Sequence, residues 1–385
     1  MLQVVSFGVS AFYSGMWCFR FAMGGGWEGV SGQLGLFSGM VCVGCISGAV
    51  AWSSSMQKAI FLYPAHAPGV SCQQSLTMIA SSHRWYASFV ILYSFEFLCL
   101  IISKLMLLGR FAANATQSSQ AEVNLTGMSG VRRRWLTVGG RALPNVYRVM
   151  AGGITVCSAV GMVANTVAGV YYVQAAGVYD QAAAACDAAG SDTNSSSLAA
   201  SVISAKARTF QSAQAISEAL TLLLVSVAFA LIVSWGAALL HLVERDAANA
   251  LLTVNDRENL RPSEANAVRI VGDTMQAASQ QRRRLTVACV IVLITFPARA
   301  AFDLMYAYST LNDPYNPACD ICDTCQSEQW LVKQWVTYTP EFHPIVVAVS
   351  SPLPLSLSLW IITKALARRS LIAEDMERAR AGDVL

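Results

Sequence analysis

The stretch Ala219–Leu240, ALTLLLVSVAFALIVSWGAALL, contains 22 consecutive residues without a charged side chain. An α-helix of roughly 20 apolar residues crosses the hydrocarbon core of a bilayer, which is about 30 Å thick. The stretch therefore predicts a transmembrane helix. The whole chain fits this prediction, because 55% of its 385 residues are hydrophobic and only 13% are charged. A typical soluble domain carries about 25% charged residues.

Six further runs of similar length and low charge occur along the chain. The predicted spans cover residues 1–19, 34–52, 85–108, 149–175, 219–240, 285–308 and 344–363, followed by a tail at 364–385. The predicted fold is an all-α transmembrane helix bundle of seven spans in one domain. The first run is short and contains glycine, so a signal-like or re-entrant segment is the alternative for it.

Basic residues indicate the orientation, because Lys and Arg accumulate in cytoplasmic loops near the helix ends. With seven spans and the N-terminus outside, 19 Lys and Arg residues fall on the inner side and five on the outer side. One miscounted span would reverse every later loop and destroy this asymmetry. We therefore expect an outer N-terminus and a cytoplasmic C-terminus, in the plasma membrane or an endomembrane.

Five cysteines fall on the predicted outer face, which is an oxidising environment where disulfides form. They are Cys72, Cys186, Cys319, Cys322 and Cys325. We expect a Cys72–Cys186 bridge and one bridge within the last three cysteines. The alternative for those three is a zinc site completed by His343, because the CxxC spacing suits zinc. The disulfide interpretation is preferred, so no metal or other cofactor is expected.

Charged residues inside the predicted spans are candidate functional residues, because burying them in a bilayer is costly. Glu96 and Arg299 lie at similar depths in the third and sixth spans, which run in opposite directions. This predicts an ion pair between them. Asp303 lies one helical turn after Arg299 and is a second possible partner. The three residues would form either a static lock between helices or a binding or switch site.

Other sequence patterns argue against catalysis. The chain contains no HxxxH pair, no GxSxG nucleophile motif and no GxxxxGK[ST] phosphate loop. We therefore expect no enzyme activity and no catalytic residue, and no nucleic-acid partner is indicated. The basic connection at 245–284 would bind either anionic lipid headgroups or a cytoplasmic protein partner.

Short matches resemble a known family. The segments are Tyr338-Thr-Pro-Glu341, Leu359-Trp360 and Lys104-Leu-Met-Leu-Leu-Gly-Arg110, and they are similar to segments of the tobamovirus-multiplication membrane proteins. The family resemblance implies a seven-helix endomembrane protein that acts through protein partners and has no known catalytic site. The seven-span architecture also resembles that of receptor-like membrane proteins. The expected function is receptor-like or partner-binding. The alternative is a transporter or channel that uses Glu96, Arg299 and Asp303.

Overall fold

The computed structural model describes residues 2–23, 29–125, 130–186, 193–255 and 262–311, and every regular element within these ranges is an α-helix. The helices are α1 Leu2–Met23, α2 Gly29–Ala65, α3 Cys72–Leu125, α4 Gly130–Cys186, α5 Thr193–Asn255 and α6 Pro262–Leu311. The predicted all-α fold class holds for this part of the chain.

Five of these helices are long and apolar enough to cross a membrane. The spanning segments are Gly35–Ala65, Cys72–Met106, Asn145–Cys186, Leu198–Trp235 and Cys289–Thr310. They correspond to the second to sixth predicted spans, so the chain is a multi-pass membrane protein. α1 covers the first predicted span but is not one of the five. The predicted seventh span, 344–363, and the tail lie outside the described residues. The seven-span count and the orientation remain predictions.

The helices are longer than the charge-free runs suggested. The fifth span was predicted to begin at residue 219, but α5 begins at Thr193 and its apolar segment at Leu198. The charged residues Lys206, Arg208 and Glu218 therefore belong to the helix and not to an outer loop. A rule that ends a span at the first charge fails here, because a helix in a bundle can bury a charged side chain against a partner.

The chain forms two compact units, and each contains segments of several helices. Unit 1 comprises, among the described residues, 2–23, 29–104, 152–186, 193–224 and 295–311. In unit 1, glycines allow neighbouring helices to approach closely, as small residues commonly do in membrane bundles. A Cβ on Gly44 of α2 would lie 3.0–3.2 Å from Leu100 and Cys99 of α3, and one on Gly169 of α4 would lie 2.9 Å from Ile91. α3 also contacts α5 and α6 through Tyr93, so it is the central helix of this unit.

Unit 2 comprises, among the described residues, 105–125 of α3, 130–151 of α4, 225–255 of α5 and 262–294 of α6. The Tyr147 hydroxyl of α4 donates a hydrogen bond of 3.2 Å to the Leu105 carbonyl of α3, and it occupies the space that a side chain at Gly109 would need. The predicted 245–284 connection is mainly helical, because residues 245–255 end α5 and residues 262–284 belong to α6.

The predicted Cys72–Cys186 disulfide is not formed, because Cys72 is an exposed free thiol. Arg84 of α3 pairs with Asp180 of α4, which aligns the two antiparallel helices. From that pair, α3 extends twelve residues back to Cys72, whereas α4 extends only six residues to Cys186. The difference corresponds to about 9 Å along the helix axes. It exceeds the Cα–Cα separation of about 7 Å that a disulfide tolerates. Cys319, Cys322, Cys325 and His343 lie outside the described residues.

Candidate functional site

Five ionisable side chains from three helices are buried together in unit 1. This charged layer consists of Glu96 and Lys104 of α3, Glu218 of α5, and Arg299 and Asp303 of α6. Each is between 1% and 6% exposed. Helix periodicity brings them to one side of each helix, because residues four or eight positions apart lie on the same face. Lys104 follows Glu96 by eight residues, and Asp303 follows Arg299 by four.

The Arg299–Glu218 ion pair connects α6 to α5 at the centre of the layer. Arg299 Nη2 donates to Glu218 Oε1 and to the Tyr93 hydroxyl, the latter over 2.6 Å. Tyr93 in turn donates to the Glu218 carboxylate at 3.0 Å. Gln214, one turn earlier on α5, donates to Glu218 Oε2 at 2.6 Å. Both oxygens of this buried carboxylate therefore accept hydrogen bonds, as a stable buried charge requires.

The predicted Glu96–Arg299 ion pair is corrected by this arrangement, since Glu218 is the carboxylate that pairs with Arg299. Glu96 was predicted to lie at a depth similar to that of Arg299, and it does interact electrostatically with Arg299, Glu218 and Lys104. Asp303 also interacts electrostatically with Arg299, as its position one turn away suggested. All three candidate residues from the sequence therefore lie in one buried cluster.

The charged layer contains more negative than positive groups. Glu96, Glu218 and Asp303 supply three carboxylates, whereas Lys104 and Arg299 supply two cations. Within the part of the chain that the structure describes, Glu96 Oε2, Asp303 Oδ2 and Lys104 Nζ have no hydrogen-bond partner. The Lys104 ammonium lies 4.3 Å from the centre of the Phe296 ring, which is a cation–π distance. Two carboxylates and one ammonium are thus buried without being fully satisfied.

Close packing surrounds Glu96 on the side that faces α1 and α2. A Cβ on Gly48 of α2 would lie 2.9 Å from the Glu96 carboxyl carbon and 2.7 Å from the Phe7 ring of α1. Only glycine fits between these two groups. α2 therefore approaches the Glu96 carboxyl group directly, which leaves no space for a hydrated ion on that side.

A second polar cluster lies nearer the end of unit 1 that carries the α2–α3 and α4–α5 connections, here called the outer end. Gln211 of α5 accepts a hydrogen bond from Tyr172 at 2.8 Å and donates one to Tyr86 at 3.1 Å. Tyr306 of α6 donates to the same Gln211 oxygen at 3.5 Å. The Lys58 ammonium lies 3.4 Å from the centre of the Tyr86 ring. This outer cluster thus joins four helices through neutral hydrogen-bonding groups.

Gln211, Gln214 and Glu218 connect the outer cluster to the charged layer along one face of α5. Their spacing of three and four residues is the helical repeat that places side chains on one face. Sequence analysis missed Glu218 because this residue immediately precedes the charge-free run. The three- and four-residue spacing of polar residues, in a segment otherwise rich in Ala and Ser, was the signal that could have identified it.

Comparisons with known proteins add no assignment, because no family model, curated protein or solved structure matches the chain. The resemblance to tobamovirus-multiplication proteins and the absence of enzyme activity therefore remain expectations. The charged layer itself supports the functional argument.

Proposed function

We propose that this protein transports a small cation across its membrane through the charged layer of unit 1. The observation that supports this proposal is the buried excess of one carboxylate, together with two carboxylate oxygens that lack a hydrogen-bond partner among the described residues. Ionisable groups within membrane bundles commonly mark ion and proton pathways.

A purely structural lock would have a different composition. Burying an unpaired charge costs several kcal/mol, so a static bundle gains nothing from an additional carboxylate. Arg299 and Glu218 already neutralise each other and connect α5 to α6. Glu96 and Asp303 then compete for the single remaining cation, Lys104. A bound cation would neutralise this excess negative charge. The composition of the charged layer therefore favours cation transport over a static ion-pair network between helices.

Charge movement in proteoliposomes tests the proposal. We expect a current across a solid-supported membrane when a cation gradient is applied to the purified protein. Asp303→Asn removes one carboxylate and should reduce the current at least about tenfold, which corresponds to a barrier increase of about 1.4 kcal/mol. Ser94→Ala is the matched control, because Ser94 is a buried polar residue of α3 that bonds only the Val90 carbonyl. Equal currents in both variants would reject the proposal.

Partner binding is a second candidate function, favoured by the length of four helices. α3, α4, α5 and α6 contain 54, 57, 63 and 50 residues. At about 1.5 Å per residue they are about 75 to 95 Å long, whereas the hydrocarbon core of a bilayer is about 30 Å thick. The described residues of the predicted basic connection at 245–284 belong to the end of α5 and the start of α6, so these helix segments are the candidate surface for a protein or for lipid headgroups.

Site-specific photocrosslinking distinguishes these two kinds of partner. A photoreactive amino acid introduced at Asn255, which ends α5, should form one discrete protein adduct in cells if a protein partner binds there. The same probe at Cys72, which begins α3 at the outer end, is the control and should not form that adduct. If only lipid adducts form at Asn255, the connection binds the membrane surface and the partner-binding role is rejected.

A further inference from the structure

We infer that the cation carried through the charged layer is the proton, and that Asp303 and Glu96 are its successive carriers on either side of the Arg299–Glu218 pair. The inference rests on the proposed function and adds the identity of the ion. It depends on how the two carboxylates are placed, on how tightly they are packed, and on the groups that lead to them.

The two carboxylates lie on opposite sides of the ion pair along the helix axes. Asp303 is four residues closer to the outer end than Arg299, and Glu96 is three residues farther from that end than Tyr93, which bonds Arg299. These offsets correspond to about 6 Å and about 5 Å. Both carboxylates interact electrostatically with Glu218, Arg299 and Lys104. Protonation of Asp303 therefore changes the electrostatic potential at Arg299 and Lys104, and Glu96 interacts with the same two cations.

Among the described helices packed against the two carriers, α2, α3, α5 and α6 contribute to this field. Around Glu96 and Asp303, the charged or titratable groups recorded are Cys45 of α2, Tyr93, Cys99 and Lys104 of α3, Glu218 of α5, and Arg299 of α6. α1 contributes only the uncharged ring of Phe7 on the Glu96 side. Two fixed cations face three carboxylates, so a single proton balances the formal charge of the layer.

The packing selects a proton over a metal cation. Sodium-like and calcium-like cations require several oxygen ligands and a cavity that holds them. On the side of α1 and α2, the Glu96 carboxyl group has no such space, because even a methyl group on Gly48 would lie within 2.9 Å of it. A proton requires no cavity, since it forms an O–H bond with one carboxylate oxygen.

The outer cluster provides a route for protons and an obstacle to metal cations. Tyrosine hydroxyls both donate and accept hydrogen bonds, so they can relay a proton. Three of them converge on Gln211, which lies one turn from Gln214 on the way to the charged layer. Lys58 and Arg208 both interact electrostatically with Tyr86 in this cluster. Their positive charges oppose a proton and a metal cation alike, but a proton that hops between hydroxyls needs no open path for a hydrated ion.

The proposed step is a proton transfer without a redox change. A hydronium ion at the outer end gives up a proton, and an O–H bond forms at a carboxylate oxygen of Asp303. That bond breaks when Asp303 gives the proton to a water molecule, and an O–H bond forms at Glu96 when the relaying water passes a proton on. The O–H bond at Glu96 breaks when the proton passes to water on the other side. Each carboxylate returns to its ionised form, and one positive charge has crossed the layer.

Null-potential measurements on proteoliposomes test the inference with the full chain. Potassium and valinomycin set the membrane voltage, and a trapped pH-sensitive dye reports proton flux. We expect the voltage of zero proton flux to shift by about 59 mV for each tenfold proton gradient. Replacing sodium by the bulky cation N-methyl-D-glucamine should leave the flux unchanged. Glu96→Gln should reduce the flux at least about tenfold, whereas Ser94→Ala should not.

The outcomes separate this inference from the proposed function. If the charge movement follows a sodium or potassium gradient and the dye signal does not change, the ion is not a proton and cation transport still stands. If no cation produces charge movement, both the inference and the proposed function fail. If Glu96→Gln does not fold into a monodisperse particle, the wild-type null potential alone decides the identity of the ion.

Discussion

The Glu218 carboxylate accepts hydrogen bonds from Arg299, Tyr93 and Gln214, and each of these residues is buried. The geometry explains how a bundle can bury an arginine so deeply, since the guanidinium has both a counter-ion and a hydroxyl partner. It also means that Glu218 and Arg299 satisfy each other, whereas Glu96 and Asp303 each keep one carboxylate oxygen without a hydrogen-bond partner among the described residues.

Removal of the Glu218 carboxylate should destabilise the protein strongly. Glu218→Ala leaves the Arg299 cation without its counter-ion in a buried site, and breaking such a pair costs about 3–5 kcal/mol. We expect a lower unfolding temperature in detergent, measured by the reaction of the buried thiols of Cys45 and Cys99 with a fluorogenic maleimide. The double variant Glu218→Leu, Arg299→Leu should recover most of the loss, because both charges are then absent.

Arg84→Ala is the control for this measurement. The Arg84–Asp180 pair also joins two helices, but its side chains are 53% and 34% exposed. Exposed ion pairs contribute only about 0–1 kcal/mol, so its loss should lower the unfolding temperature only slightly. Equal effects of Glu218→Ala and Arg84→Ala would contradict the burial and pairing described for Glu218.

At the level of elements, long apolar segments were predictable because the hydrophobic requirement of the bilayer is strong. α2 and α4 contain the runs predicted at 34–52 and 149–175. The ends of the helices were not predictable from charge alone. α5 continues through Lys206, Arg208 and Glu218 because the Lys206 side chain is exposed and the buried Glu218 pairs with Arg299, so neither charge ends the helix. The Arg299–Glu218 ion pair was missed because Glu218 lies just before the charge-free run that defined the fifth predicted span.

The contact of α1 with α2 depends on the absence of a side chain at Gly48. Gly48→Ala introduces a methyl group 2.7 Å from the Phe7 ring and 2.9 Å from the Glu96 carboxyl carbon. We expect a loss of about 1–3 kcal/mol of stability, as for other overpacked sites, measured by the same maleimide assay. The loss arises because either the ring or the carboxyl group must move.

Gly152→Ala in α4 is the matched substitution, because nothing lies within 4 Å of its new methyl group. Alanine stabilises a helix by up to about 1 kcal/mol relative to glycine, so the Gly152→Ala variant should be at least as stable as the wild type. If Gly48→Ala behaved like Gly152→Ala, the described approach of α1, α2 and α3 around Glu96 would be wrong.

For the whole molecule, two separate features serve the two candidate functions. Unit 1 contains the buried charges that cation transport requires. Unit 2 contains the 245–284 connection, whose described residues belong to α5 and α6 and for which partner binding is proposed. Because the two features use different residues, cation transport and partner binding are compatible in one chain.

Both functions depend on the orientation of the chain, which accessibility labelling measures. In intact cells, a membrane-impermeant maleimide should label Cys72, an exposed thiol at the start of α3, as identified by mass spectrometry of its peptide. A cysteine introduced as Asn255→Cys, at the end of α5, should react only after the membrane is permeabilised. This pattern follows from the excess of Lys and Arg on the predicted inner side, which includes the 245–284 connection. The opposite pattern would place that connection outside the cell. If Cys72 and Asn255→Cys both react only after permeabilisation, the protein lies in an internal membrane, and the same labelling on sealed vesicles then decides the orientation.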